Sequence, residues 1–164
     1  MTIPARLTIE PATERDIPVI LELIRDLASY EDQLDHFEAT EDRIRQGLFG
    51  SQAKAHVLLA QENDTPAGFA VYFHTFSTFA GLPGLYLEDL FVKPEKRGRG
   101  VGQALLRALA IRAKQESCWR IEWAVLHWNQ NAIRFYQRLG AVRMDEWSVY
   151  RLYGEPLDLL AASE

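Results

Sequence analysis

The chain has 164 residues, 48% of them hydrophobic and 25% charged, with a net charge of −5, which is the size and balance of one globular domain, 1–164, with a core of its own. The acidic balance speaks against a nucleic-acid partner, no apolar run is long enough to span a membrane, and residues 1–10 hold no apolar leader core. A single cysteine, Cys118, excludes an internal disulfide and a cysteine metal cluster, so a cytoplasmic protein without nucleic-acid or membrane partners is expected.

The elements follow in chain order. "RLTIE" (Arg6 to Glu10) alternates as a strand does. Apolar residues at Ile17, Ile20, Leu21, Ile24, Leu27 and Ala28 then form a helical stripe, with Thr13 or Asp16 to cap it and Pro18 in its first turn. "TEDRIRQGLFG" (Thr40 to Gly50) reads as a second, short helix. The stretch from Glu31 to Asp42, which runs into it, is acidic: Glu31, Asp32, Asp35, Glu38, Glu41 and Asp42 stand without a Lys or Arg among them, either a solvated loop or a rim that attracts cations. "AHVLLAQ" and "AGFAVYFHTF" are strands around the turn "ENDTP", and after the loop "STFAGLPG" comes a third strand, "LYLEDLFV". Val101 to Gln115 is a helix with Val101, Ala104, Leu105, Ala108 and Leu109 on one side. "RIEWAVL" is a strand, and "NQNAIRFYQRLG" is a helix between an Asn129 cap and a Gly140 stop. "AVRM" and "WSVYRLY" read as closing strands, followed by a short apolar tail, "PLDLLAA". Hairpins make the first half of the sheet antiparallel, and the later β-α-β step requires a parallel pair. The expected class is therefore α/β, a mixed central sheet with helices on both faces.

Between the third strand and its helix lies "RGRGVG", Arg97 to Gly102. A helix N-terminus offers free N–H groups and partial positive charge, and glycine lets that backbone come close to an anion. A turn that merely needs a positive φ would use one glycine; Gly98, Gly100 and Gly102 point instead to a phosphate or diphosphate. The spacing is neither the Walker A loop nor the dinucleotide fingerprint.

Arg97-Gly98-Arg99-Gly100-Val101-Gly102 matches the pattern [RQ]-x-x-G-x-[GA], and "NQNAIRFYQRLGA" (Asn129 to Ala141) matches a late N-x-x-A-x-x-F-Y segment. Both resemble the GNAT acetyltransferases. "RDLASYE", "YLEDLFV" and "WNQNAIRFYQRLGA" narrow the likeness to the diamine acetyltransferases, which acetylate spermidine, spermine and thialysine-like amines. The resemblance implies the GNAT fold, its sheet splayed at the acetyl-CoA site, and acetyl-CoA as cosubstrate. It implies that Leu90, Phe91 and Val92 pair through their backbone with the pantetheine arm. Arg97, Gly98, Arg99, Gly100, Val101, Gly102 and Gln103 would hold the diphosphate, and Asn129, Gln130, Asn131 and Ala132 the reacting end of the cofactor. It also implies a homodimer, for which the apolar "WSVYRLY" is a candidate face, with Trp128 and Trp147 as core or dimer-face aromatics.

Acetyl transfer needs a neutral amine, a stabilised oxyanion and a proton for the leaving thiolate. By resemblance Tyr136 is the general acid, although the residue type alone would suit a packed core. Glu88 is the carboxylate that binds the amine or accepts its proton, directly or through water, and Asp89, its neighbour on the opposite face since side chains alternate along a strand, is counted with it in the substrate-binding set. Tyr30, Glu31, Glu122, Trp123 and Ala124 complete the substrate-lining set. "EWAVLHWN" departs from the animal enzymes, which leaves the amine open. His74 and His127 read as satisfied strand-end histidines without metal-ligand spacing, so no metal is expected. The competing readings are an acetyltransferase for a protein amine or an aminoglycoside, and a noncatalytic acyl-CoA sensor that could dispense with Tyr136 and the carboxylates.

Overall fold

The alternating residues at the start form β1, Leu7–Pro11, an outer strand of a five-stranded sheet whose strands lie side by side in chain order. The structure, a computed structural model, describes residues 6–163; residues 1–5, part of the stretch read for a leader, lie outside the described residues. The chain divides into two units, residues 1–124 and 125–164. No helix among the described residues is long and apolar enough to cross a membrane.

In the first unit, α1 spans Ile17–Tyr30. The backbone N–H and hydroxyl of Thr13 donate to the Asp16 carboxylate at 2.7 and 2.9 Å, which fixes the helix entry. Ile20, Leu23 and Leu27 pack on Val57, Leu59, Phe69, Val71 and Phe91 of the sheet. Leu23 rather than Leu21 belongs to the buried stripe. α2 covers only Glu41–Ile44, capped by the Thr40 hydroxyl, which accepts the Arg43 N–H at 3.3 Å; a wider turn, Arg45–Phe49, follows.

β2 (His56–Glu62), β3 (Thr65–Ser77) and β4 (Leu82–Val92) form an antiparallel meander. The first hairpin turns on Asn63 and Asp64, both at positive φ (51° and 61°), the conformation that a tight hairpin demands and that Asn and Asp tolerate. The second pairs as far as Ser77 and Leu82, so half of the loop expected over "STFAGLPG" is strand and only residues 78–81 turn. α3, Val101–Gln115, covers the other face through Val101, Leu105, Leu109 and Ala113 against Leu58, Tyr72, Leu85 and Leu87. Each valine or leucine so buried contributes about 1.5–3 kcal/mol. β5 (Ile121–Glu122) then runs parallel to β4 and completes the sheet order β1-β2-β3-β4-β5. Helices on both faces of a mixed sheet are thus observed.

Two expectations are corrected. "RIEWAVL" contributes only Ile121–Glu122 to the ladder, opposite Leu85 and Tyr86 and just short of the register shift between β3 and β4. In the second unit, "AVRM" and "WSVYRLY" form no strand among the described residues, and Val142, Trp147, Val149, Tyr150 and Tyr153 are exposed. Alternation gives these segments a β tendency, but a strand requires a partner for its backbone groups. The unit holds α4, Gln130–Arg138, and α5, Glu155–Ala162, the latter formed by the tail "PLDLLAA" with a proline in its first turn.

Candidate active site

β3 and β4 pair in regular register except at one point: Val71 opposes Asp89, and the next residue, Tyr72, opposes Leu87. Glu88 is therefore the extra residue of a β-bulge. The bulge resets which residues face which side. Leu85 and Leu87 before it, and Leu90 and Val92 after it, all pack toward α3, whereas Phe91 packs toward α1. The strict alternation assumed for Glu88 and Asp89 thus fails at the point that matters. Asp89, two residues before Phe91, is partly buried and lines a cleft of about 500 Å³ together with Ile24, Leu27, Ala28, Glu31 and Phe37. Glu88 is exposed at the bulge.

The cleft is acidic at its floor. Burial, then the charges of Glu88 and Glu31, push the Asp89 carboxyl up to about 6. Burial also raises Glu31. Arg43 lines the same cleft, its Nη1 donating to the Glu38 carbonyl at 2.8 Å and meeting the Glu38 carboxylate at 3.4 Å. Tyr30, beside Glu31, lies under the Arg97 guanidinium, 4.4 Å from its ring centroid. Arg97 Nε–H also donates to the Val92 carbonyl at 3.0 Å. One arginine of the glycine loop is thereby tied to the last turn of α1 and the end of β4.

Gly98 and Gly100 both adopt positive φ, 74° and 83°, and no atom lies within 4 Å of the place a Cβ would take at either. Their conformation requires glycine, and the space above them is open. α3 begins directly after Gly100 without a side-chain cap, so its first amides lack helical acceptors. An anionic diphosphate fits this combination of open approach, free donors and helix dipole. Arg99 does not simply extend into solvent: its Nη1 donates to Glu62 at 3.0 Å, and Lys96 Nζ donates to the same oxygen at 2.7 Å. Glu62, at the end of β2, is 6% exposed, and its hydrogen bond from Lys96 helps hold its carboxyl below the usual range. Sequence reasoning missed this anchor, since Glu62 reads as the first residue of a turn and lies far from the loop in the chain.

Beyond Tyr86, no strand among the described residues pairs with the edge of β4 that faces away from β3. Leu90, Phe91 and Val92 lie in that stretch. On β5, Glu122 approaches Arg120 (Nε to Oε2, 2.6 Å), a contact of opposite charges that lacks hydrogen-bond geometry. Trp123 packs with the α3-side core, and Ala124 is exposed. Tyr30, Glu31 and Asp89 are therefore gathered toward the α1 side, while Trp123 serves the other face.

In the second unit, Asn129 caps α4, its Oδ1 accepting the Ala132 N–H at 3.2 Å. Gln130 Nε2 donates to the His127 carbonyl at 2.7 Å, and Asn131 accepts from Arg134 at the same distance. Ala132, Ile133, Phe135 and Tyr136 make up the half-buried face of α4, with the Phe135 and Tyr136 rings 5.4 Å apart. Gly140, at φ 85°, ends the turn as expected.

Residues 18–141 match the acetyltransferase (GNAT) family. The chain is 36% identical to thialysine N-epsilon-acetyltransferase from Bos taurus, over 96% of this chain and 98% of that protein. It is 29% identical to an L-ornithine N5-acetyltransferase from Arabidopsis thaliana, over 91% of this chain and 85% of that one. Among solved structures, an integron cassette protein from the mobile metagenome of V. cholerae superposes with a TM-score of 0.81 at 28% identity, covering 96% of this chain and 98% of that one.

Proposed function

The chain belongs to the GNAT acetyltransferase family, and from that premise we propose that it transfers the acetyl group of acetyl-CoA to a primary amine of a small polyamine or diamino acid, by direct attack in a ternary complex. It is an acetyl-CoA-dependent acyltransferase. The reading of its substrate is carried by one observation: Glu31 and Asp89 line a single cleft, and both carboxyls are raised by burial. Two anionic groups in a half-buried cleft favour an ammonium. Arg43 on the same cleft favours a diamino acid, whose carboxylate it can meet; a polyamine has no such group. The names of the bovine and Arabidopsis relatives, which specify thialysine and L-ornithine, agree with that choice.

In this reading the diphosphate rests on Gly98 and Gly100 and on the first amides of α3, including Val101, Gly102 and Gln103. Arg97 and Arg99 supply charge, and Glu62 holds Arg99 in place. The pantetheine arm takes up the open edge of β4 at Leu90 to Val92. By the family resemblance, Asn129 to Ala132 would contact the cofactor near its reacting end. Asp89 receives the proton of the ammonium, directly or through water, with Glu88 at the adjacent bulge as the second carboxylate of the pair. The neutral nitrogen attacks the thioester carbonyl, backbone N–H groups near Leu90 stabilise the oxyanion, and the intermediate releases its extra N–H proton to solvent as the C–S bond breaks to give amide and thiolate. Tyr136 donates its phenolic proton to that thiolate and regains one from solvent. No step calls for a metal.

The enzyme is further proposed to work in the cytoplasm as a homodimer that covers part of the exposed apolar segment from Val142 to Tyr153. A panel of amines assayed with acetyl-CoA, reading released thiol, tests the substrate reading. Turnover concentrated on diamino acids and polyamines supports it, and preference for a peptide amine or an aminoglycoside overturns it.

A further inference from the structure

At the far end of α3, three side chains of different chemistry converge outside the acetyl-transfer site. His74 Nε2 on β3 lies 2.6 Å from Glu116 Oε2, and Cys118 follows two residues later. The imidazole nitrogen, a carboxylate oxygen and the Cys118 sulfur all lie within 4.8 Å of one another. The backbone fixes this convergence. Ser117, at φ 58°, turns the chain out of α3, and the Cys118 N–H returns to the Ala113 carbonyl at 2.8 Å. That is a helix-ending turn whose last residue points back toward the helix.

We infer that His74, Glu116 and Cys118 form a three-ligand site for a divalent transition metal of the zinc class. Zinc takes nitrogen, oxygen and thiolate donors at about 2.0–2.3 Å, which places tetrahedral ligands about 3.3–3.8 Å apart. The nitrogen and the carboxylate oxygen, at 2.6 Å, stand closer than that and would part to admit the metal, and the sulfur lies within 4.8 Å of both. Glu116 is oriented from behind: Arg112 Nη1 donates to its other oxygen, Oε1, at 3.3 Å. Such second contacts hold a ligating carboxylate in place. The same arginine selects the metal class. Its positive charge offsets Glu116, so a hard cation held by charge alone, Ca²⁺ or Mg²⁺, gains little, whereas nitrogen and thiolate bonding is unaffected in kind. Cys118 is buried, whereas His74 and Glu116 are partly open to solvent, so the metal enters from outside and keeps a water as its fourth ligand. His56 adds a further imidazole beside the group, its ring centroid 5.7 Å from that of His74.

The site stands apart from the glycine loop. α3 has 15 residues between them, about 22 Å of helix. Its occupancy is therefore a property of the fold rather than a step in acetyl transfer. Spacing in the sequence conceals it, because His74 is 42 residues from Glu116.

The test uses the full chain after dialysis against a chelator. Co²⁺, as a spectroscopic stand-in for Zn²⁺, should give a thiolate charge-transfer band at one equivalent, which only Cys118 can supply because it is the one cysteine of the chain. Zn²⁺ should abolish that band by competition and slow the reaction of Cys118 with a thiol reagent at least tenfold, and Mg²⁺ should do neither. His74→Gln, at a partly exposed position, keeps the fold and should weaken Zn²⁺ binding at least tenfold in calorimetry. Cys118→Ala should remove the Co²⁺ band, with a thermal melt as the check on folding. The absence of a thiolate band in the wild-type chain, or zinc affinity unchanged in His74→Gln, overturns the inference.

Discussion

Replacing Asp89 by Asn should make the protein more stable, by a margin that grows as pH rises from about 4 and is complete above about 6. The Asp89 carboxyl titrates at about 6 instead of 3.8 because burial, and then Glu88 and Glu31, disfavour its charge. Below pH 3.8 the group is protonated in both the folded and unfolded chain, and no penalty exists. As pH rises from there toward 6, the unfolded chain has released the proton and the folded chain still binds it, so stability falls with pH. Above 6 the penalty is complete, about 3 kcal/mol at 1.36 kcal/mol per pH unit. Asn has the same shape and no charge to bury. The difference in stability between Asp89→Asn and wild type should therefore be about 3 kcal/mol at pH 7.5 and about 0.5 kcal/mol at pH 4. For a chain of this size that is a rise in Tm of about 6–12 °C at pH 7.5 and about 1–2 °C at pH 4. Differential scanning calorimetry at the two pH values reads it directly. The variant should at the same time lose most of its kcat/KM, along with the acid limb near pH 6. An equal Tm difference at both pH values would show that Asp89 carries no buried charge, and the proton-accepting role would fall with it.

Four further outcomes are expected. Tyr136→Phe should keep its melt and its KM for acetyl-CoA and lose kcat toward the lower end of the ~10²–10⁴-fold range of general acid catalysis; wild-type turnover would make Tyr136 a packing residue. Arg43→Ala should raise KM for a diamino acid about tenfold or more while leaving a polyamine nearly unaffected, since a charged contact of this kind is worth about 1.5–3 kcal/mol; equal effects in steady-state kinetics would remove Arg43 from the substrate site. Gly100→Val should weaken acetyl-CoA in calorimetry, because valine strongly disfavours the φ of 83° at that position, and undiminished affinity would count against the diphosphate loop. Light scattering at micromolar concentration should return the mass of a dimer, and a monomer mass would contradict the homodimer.

Much of the fold could be read from the chain, because periodicity and turn chemistry agree with tertiary contacts in the first unit. Thr13 with Asp16, Asn129, Gly140 and the glycine loop all do locally what their residue types allow. What failed was non-local. The segments 141–144 and 147–153 alternate correctly yet form no ladder, since a strand is a relation between two segments and not a property of one. The site divides in the same way. Gly98, Gly100 and Tyr136 are marked by local motifs. Glu62 is not, because its link to Lys96 and Arg99 closes a separation of 34 and 37 residues. Nor is the bulge at Glu88, since "LED" carries neither a glycine nor a proline to mark it. It shows only in the pairing with Val71 and Tyr72.

That bulge matters because it decides which carboxylate is buried, and burial sets two quantities at once. An aliphatic amine titrates near 10.4, so about one molecule in 2,500 is neutral at pH 7, and carboxylates that hold the ammonium lower the fraction further. Moving its proton to an ordinary aspartate near 3.8 is uphill by about 9 kcal/mol. Moving it to a carboxyl at about 6 is uphill by about 6 kcal/mol. The gain in base strength, about 3 kcal/mol, is the same free energy that ionised Asp89 subtracts from folding, since both follow from one displaced pKa. The two measurements on Asp89 are thus not independent. The pH at which its stability penalty saturates must coincide with the acid limb of kcat/KM for the wild-type enzyme. If calorimetry places the first near 6 and kinetics places the second well away from it, Asp89 is buried but does not accept the proton, and Glu88 or solvent water at the bulge takes that role.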